Sequence, residues 1–267
     1  MNIQLKLCQD HLSSLERRVK QLLEKFKDKK PKWVFFSGGK DSLVALDLAT
    51  KYWSDFTVIY CEVTGNTHPE CTKYSKRLLE NYYGVDYIIV KTDKYDFYQC
   101  LKRWGYPSFL WRNSRWCLMH FKDEPIIEVT DGKGFGISGV SPKDSTFRAS
   151  KVKNPVIYSG KGYRWCLVSV LPIYYFNKND IWLYIYENGL PINPLYKRIG
   201  FSGNCVICPA INFKQFLAVK HFCPEFFSKW KEAHELLRKH GKKGMKVVFH
   251  KFDKWYSFVL NTPSYKQ

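Results

Sequence analysis

Apolar positions recur at three- and four-residue intervals through the first thirty residues. Leu5, Cys8, Leu12, Leu15, Val19, Leu22, Leu23 and Phe26 stand among charged neighbours. That period predicts an amphipathic helix over residues 5–27, ended by the lysine-rich run that contains Pro31. The pattern then changes. Trp33–Phe36 is an unbroken apolar run, the mark of a strand buried on both faces, and helical spacing resumes over Leu43–Trp53. The alternation continues with a strand at Phe56–Cys61, a helix at Glu70–Tyr83, a strand at Tyr87–Val90 and a helix at Tyr95–Trp104. Gly134–Gly139 and Cys166–Ile173 read as further strands, and Asn179–Asn188 and Pro224–His240 as helices. The aromatic, β-branched stretch Met245–Val259 reads as a terminal hairpin. Strands alternating with helices predict an α/β fold, a mostly parallel sheet with helices on both faces. The chain then divides into an N-terminal helix (1–30), the α/β domain (31–200) and a small Cys-bearing, basic C-terminal segment (201–267).

The segment Ser37-Gly38-Gly39-Lys40-Asp41-Ser42 falls between the first buried strand and the helix after it. Two glycines allow a sharp turn and a close backbone approach to a ligand. The helix that follows offers free N–H groups and the positive end of its dipole, a phosphate-binding arrangement. Ser37 and Ser42 add hydroxyl donors and Lys40 adds positive charge. The GxxxxGK[ST] pattern of a Walker A loop is absent.

Charge widens the picture. Forty-three Lys and Arg oppose 24 Asp and Glu, a formal net charge of +19. A fold does not need that excess, so it points to a polyanionic partner, nucleic acid before nucleotide phosphates. The N-terminal residues are charged throughout and no apolar run is long enough to span a bilayer, so a cytoplasmic location without a membrane partner is expected. Nine cysteines in such a chain argue for metal, redox or buried thiols rather than disulfides. Cys205 and Cys208 form a C-x-x-C on a Gly-rich loop, a spacing that turns two thiolates to one ion or cluster. An iron–sulfur cluster, a zinc ion and a metal-free redox pair all remain open to that spacing. Cys8, Cys61, Cys71 and Cys100 lie in apolar or helical settings and read as core thiols.

The phosphate loop and four later segments, in order, resemble the PP-loop ATP pyrophosphatase superfamily, in its phosphoadenosine phosphosulfate (PAPS) reductase branch. The later segments are Thr64–Glu70, Arg115–Lys122 with Pro125, Gly139–Ser145 with Arg148, and Leu171–Ile173 leading to Asn193-Pro194-Leu195-Tyr196 and Gly203–Pro209. Val63 stands where the family usually has an acidic residue, and Asp144 where Glu is common. The resemblance implies that residues 37–42 hold the β and γ phosphates of ATP, with Thr64, Gly65, Gly139, Asp144 and Ser145 also about the nucleotide. It implies that Lys40, Asp41, Lys122 and Arg148 serve catalysis, and that magnesium accompanies ATP. It also makes Cys117 a ligand of a four-iron cluster with Cys205 and Cys208. Cys223 would be the fourth ligand, with Cys166 as its rival. The implied reaction cleaves ATP to AMP and pyrophosphate, adenylates a substrate and transfers sulfur to a nucleic acid, tRNA or DNA, with room for a sulfur donor protein. Reduction of a sulfonucleotide is the alternative. It is disfavoured by the lack of the family's late Cys motif, since no cysteine follows Cys223. A non-catalytic nucleic-acid-binding subunit is the third reading. The sequence carries no signal for an oligomeric state.

Overall fold

The computed structural model describes residues 3–108, 115–158, 167–241 and 243–261, with side chains from residue 9 to residue 259. In chain order the elements begin with α1 (Ile3–Glu24), β1 (Lys32–Phe36), α2 (Lys40–Tyr52) and β2 (Thr57–Cys61). Next come α3 (Pro69–Arg77), which passes into a π-helical segment (Leu78–Tyr83), then β3 (Tyr87–Val90) and α4 (Phe97–Trp104). The short α5 (Trp116–Leu118), a π-helical turn (Met119–Asp123) and α6 (Glu124–Thr130) precede β4 (Phe135–Ser138). The remaining elements are α7 (Thr146–Lys151), β5 (Val156–Tyr158), β6 (Val168–Val170), α8 (Lys178–Glu187), α9 (Leu195–Ile199), α10 (Phe213–Phe222), α11 (Pro224–Lys239) and α12 (Lys246–Asn261). The chain forms two compact units: Met1–Cys61 with Pro69–Val90 and Pro125–Pro194, and Glu62–His68 with Lys91–Glu124 and Leu195–Gln267.

The first unit carries the sheet, in the order β3-β2-β1-β4-β6-β5. Every neighbouring pair is parallel except β5 with β6, so the α/β, mostly parallel fold expected from the alternating pattern is present. The central strand β1 pairs on both sides, Phe35 lying opposite Ile59 and Ser138. Strand order reverses about β1, whose carboxyl end is therefore a topological switch point, the place where open α/β sheets take their ligands. The helix α2 that leaves this point is buried along Ser42–Ala49. Its one buried carboxylate, Asp47, accepts hydrogen bonds from the hydroxyls of Tyr184 (2.7 Å) and Tyr83 (3.0 Å) and lies 3.3 Å from Lys51 Nζ. A buried charge so fully partnered fixes α2 against α8 and the π-helical segment at little cost. On α1, Leu12, Leu15, Val19, Leu22 and Leu23 are buried, as their spacing predicts, with Phe26 just beyond the helix.

In the second unit α10, α11 and α12 close on an aromatic core of Phe216, Trp230 and Phe252. This corrects the terminal hairpin expected over Met245–Val259: the chain is helical from Lys246. Val248, Phe249, Phe252, Tyr256 and Val259 are the buried residues of this helix, a helical spacing that the density of β-branched and aromatic residues disguised. Within the same core Trp230 Nε1 donates to the Tyr106 hydroxyl (2.8 Å), which is left to donate its own hydrogen to His234 Nδ1 (3.0 Å).

Candidate functional site

At the carboxyl end of β1 the chain turns through Gly38, whose φ of +69° is a left-handed conformation suited to glycine. A side chain there would also press on Cys71 Sγ at 2.7 Å. Gly39 is the N-cap of α2 and makes no side-chain cap bond, so the positive end of the helix dipole faces the loop. The loop is closed from within by Ser42. Its Oγ accepts from Ser37 N (3.1 Å) and donates to Gly39 O (2.9 Å), which makes the Ser37 hydroxyl the donor in the 3.0 Å contact between the two. Lys40 and Asp41 are half-buried and joined at 2.6 Å. Gly139, just past β4, meets the loop from the side: a Cβ there would lie 2.7 Å from Ser42 N and 2.8 Å from the Asp41 carbonyl carbon and oxygen. Asn193, fully buried, donates from Nδ2 to Gly38 O at 3.1 Å. The loop is thus held from three sides by Gly139, Asn193 and α3.

Asp144, Ser145 and Arg148 lie in the same unit and are engaged with one another. Asp144 accepts from Ser141 N (3.3 Å) in a capping box and pairs with the Arg148 guanidinium, while Ser145 Oγ accepts from Arg148 N (3.2 Å). Together they shape the loop leading into α7.

The second unit holds the thiols. Cys117, Cys205 and Cys208 line one cavity of about 110 Å³, together with Lys122, Arg115, Ser108 and Val63. The C-x-x-C loop is built around a residue the sequence reading passed over. Asn66 donates from Nδ2 to Ile207 O (3.1 Å) and Cys205 Sγ (3.2 Å), accepts from Ile207 N at Oδ1 (2.9 Å), and receives Val206 N at its carbonyl (2.9 Å). Thr67 Oγ1 adds a bond to Asn204 O (2.8 Å), and His68 N one to Gly203 O (2.8 Å). Thr64 and Gly65 belong to this unit too. Thr64 Oγ1 donates to Thr92 O (2.6 Å), and Gly65 packs so closely on Asp96, the N-cap of α4, that no side chain would fit. The Thr64–Glu70 motif therefore braces the thiol loop.

The Cys205 thiol hydrogen-bonded to Cys208 draws the Cys208 thiol below its ordinary pKa and raises that of Cys205. Burial pushes Cys117 up to about 11, with Cys208 adding to the rise and Arg115 and Lys122 opposing it. Arg115 Nε is buried and has no hydrogen-bond partner among the described residues. A cavity with three thiols, two cations and an unspent donor suits an electron-rich, anionic occupant. Its donor chemistry fits a thiolate-held iron–sulfur cluster or zinc ion. The side chains are not preset for one, since among the described residues no three His, Cys, Asp or Glu stand ready to hold a metal ion. Cys223 does not line the cavity. It is buried between α10 and α11, where burial raises its pKa and Arg198 and Glu225 are the charges that act on it. Cys166 lies outside the described residues. Of the histidines near motifs, His68 stacks on Phe226 and His120 bonds Glu124 at 2.9 Å.

Residues 31–211 match the phosphoadenosine phosphosulfate reductase domain family. The chain belongs to that family. Among similar proteins, Uncharacterized protein MJ0066 of Methanocaldococcus jannaschii is 30% identical over 231 residues, covering 84% of this chain and 45% of that protein. A second protein of that archaeon, MJ0973, is 30% identical over 235 residues and 54% covered, so the chain spans about half the length of these relatives. The Adenosine 5'-phosphosulfate reductase of Geobacillus kaustophilus is 27% identical over 175 residues, 65% of this chain and 71% of that enzyme. The crystal structure of phosphoadenylyl-sulfate reductase from Candida auris superposes with a TM-score of 0.49 at 17% identity, over 71% of this chain and 91% of that one. Val63 stands where the resemblance leads one to expect an acidic residue. The valine is buried against the thiol cavity, where an acidic side chain would set a negative charge beside three sulfurs. No helix among the described residues is long and apolar enough to cross a membrane.

Proposed function

We propose that this PAPS reductase family protein binds ATP at Ser37–Ser42, cleaves it to AMP and pyrophosphate, and uses the activation to put sulfur into a nucleic acid. The observation that carries the reading is the thiol cavity, which gathers Cys117, Cys205 and Cys208 with Lys122 and Arg115, whose buried Nε has no hydrogen-bond partner among the described residues. In the first unit the uncapped start of α2, Lys40 and the serine hydroxyls would take the β and γ phosphates. A substrate oxygen would attack the α-phosphorus, the bond to the bridging oxygen would break, and pyrophosphate would leave with its charge met by the helix end and by magnesium on the phosphate oxygens. A donor's sulfide-level sulfur would then displace AMP, which departs with the substrate oxygen. Cys117, Cys205 and Cys208 would hold an iron–sulfur cluster, whose chemistry is to carry or polarise sulfur; zinc is the other occupant this donor set suits. Lys122 and Arg115 would offset the negative charge of thiolates and incoming sulfur. The net charge of +19 supports a polyanionic substrate.

A second reading, sulfonucleotide reduction, is favoured by the similarity to enzymes named Adenosine 5'-phosphosulfate reductase. There a thiolate would take the sulfo group from the nucleotide, AMP would leave, and a second thiol would release sulfite as the two sulfurs form a disulfide. One experiment separates the two. Anaerobically prepared protein is given ATP with and without tRNA or DNA, or a sulfonucleotide with dithiol, and pyrophosphate and sulfite are measured. Pyrophosphate release stimulated by nucleic acid is expected. Sulfite release without pyrophosphate would replace the first reading by the second, and neither product would remove both.

A further inference from the structure

The first unit has a cavity of its own, of about 510 Å³, unused by the chemistry above. One wall is a single face of α3 and its π-helical continuation, carrying Lys73, Tyr74, Arg77, Asn81 and Tyr82. The other is formed by Pro191 and Pro194. The size is that of a small-molecule site. Its walls are aromatic rings and prolines, and its polar groups are two cations, an amide, the tyrosine hydroxyls and one carboxylate, Glu70, at the start of α3. Lys73 and Arg77 are exposed. The ring of Tyr82 is half exposed and held edge-on by Tyr83 at 4.8 Å between centroids, and Tyr83 is itself fixed by its hydroxyl bond to Asp47. A flat ring presented to solvent from a rigid support is a stacking platform. The π-helical segment brings Asn81 and Tyr82 onto the cavity that Lys73 and Arg77 line. Such segments are energetically poor and occur often at functional sites.

We propose that this cavity seats one nucleotide unit, its base on Tyr82 with Asn81 at the base edge, and its phosphate on Lys73 and Arg77. The occupant is either a free nucleotide or one unit of a single-stranded nucleic acid. The second form takes over from the proposed function only the polyanionic partner. The cavity is tied to the phosphate loop through shared elements. Cys71 and Ser75, on another side of α3, pack on Gly38, and Asn193, between the two prolines, bonds the Gly38 carbonyl. Tyr74 further joins α3 to this segment by its hydroxyl bond to Pro191 O at 2.8 Å. An occupant therefore bears on two of the three elements that hold the loop.

The test uses the full chain and two probes, 5-iodouridine monophosphate and a short oligouridylate carrying one 5-iodouridine, with photocrosslinks mapped by mass spectrometry. A crosslink on Tyr82 is expected in the wild-type chain and in Lys40→Ala, which separates this cavity from the phosphate loop. The double variant Lys73→Ala, Arg77→Ala should lose about tenfold or more in affinity. For the oligonucleotide, the slope of log affinity against log salt should fall by about 0.7, the share of one neutralised phosphate on a single strand. Equal crosslinking by both probes identifies a free nucleotide as sufficient; crosslinking by the oligonucleotide alone identifies the nucleic acid. Crosslinks that map elsewhere, or affinities within about twofold of wild type in the double variant, overturn the proposal. Loss of pyrophosphate release with this result intact would fault the proposed reaction and not the cavity.

Discussion

Gly139→Ala tests the geometry of the phosphate loop more sharply than removal of any charged residue. Gly139 has no positive φ, so alanine brings no backbone strain there and acts by bulk alone. The new Cβ would meet Ser42 N at 2.7 Å and the Asp41 carbonyl at 2.8 Å, against ordinary contacts that begin near 3.4 Å. All three atoms are backbone in the first turn of α2, so that turn must retreat by about 0.6–0.7 Å, the difference between those distances. Overpacking of this kind costs roughly 1–3 kcal/mol of stability. Phosphate bonds from the same N–H groups would stretch from about 2.9 Å to about 3.5 Å, beyond useful hydrogen bonding. Two charge-assisted bonds lost at about 1.5 kcal/mol each amount to about 3 kcal/mol, or roughly a hundredfold in affinity. Calorimetric titration with ATP analogues measures the affinity, and scanning calorimetry the stability. Gly189→Ala is the control: it lies at φ +57° with nothing within 4 Å of its would-be Cβ, so it costs about 1–2 kcal/mol of stability and leaves binding untouched. A folded Gly139→Ala chain that binds the nucleotide within about twofold of wild type would refute the assignment of the loop.

Asn193→Ala should strip the Gly38 carbonyl of its buried donor, costing about 1–3 kcal/mol, lowering Tm by roughly 2–4 °C for each, and weakening ATP binding about tenfold. Asn193→Asp should be worse, since it sets a carboxylate against that carbonyl, and wild-type melting in both would exclude the role. Cys205→Ser and Asn66→Ala should each lower iron and acid-labile sulfide in anaerobically purified protein, the first by removing a ligand, the second by releasing the loop that Asn66 holds with bonds at both ends of Ile207. Unchanged iron in both would rule out that ligand assignment. The fully buried His234 should make the second unit acid-sensitive. Burial lowers its pKa from 6.5 to about 4, so the folded state holds the neutral ring while the unfolded chain binds a proton. That contribution is complete above pH 6.5 and is lost as pH falls from about 6.5 towards 4, by on the order of 3 kcal/mol. Denaturant midpoints of wild type and His234→Gln at pH 7 and pH 4.5 measure it, and equal acid sensitivity of the two would contradict it.

The parallel sheet was legible because a strand buried on both faces leaves an unbroken apolar run, as in Trp33–Phe36, whatever its partners. The antiparallel edge strand β5 was not. Its Ile157 and Tyr158 face solvent, and a three-residue strand paired on one side only imposes little pattern. Helix starts were misplaced where a turn or a cap, not apolar spacing, decides them. Spacing alone starts a helix at Leu43, but the chain turns helical at Lys40, immediately after Gly39. At α4 the start at Phe97 is set by Asp96, whose side chain accepts from Tyr98 N and Gln99 N.

The site divides along the same physical line. Residues proposed to meet a ligand by main-chain geometry are visible in the sequence, since Ser37–Ser42 leaves a buried strand through two glycines into a helix. Residues that hold those residues are not, because a single buried amide can do the work and its partners lie far off in sequence. Asn66 reaches 141 positions to Ile207, and Asn193 reaches 155 to Gly38. Each asparagine stands inside a motif that gives no sign of its distant partner, yet each is fully buried and each satisfies backbone groups that the loop itself leaves open. Motif matching found Thr64–Glu70 and Asn193–Tyr196 and placed the first beside the nucleotide. The hydrogen bonds give each motif a supporting task, one for the thiol loop and one for the phosphate loop. A motif in such a fold thus encodes the brace as much as the ligand contact. The buried asparagine is the residue in each whose loss should be felt at the site without touching the substrate.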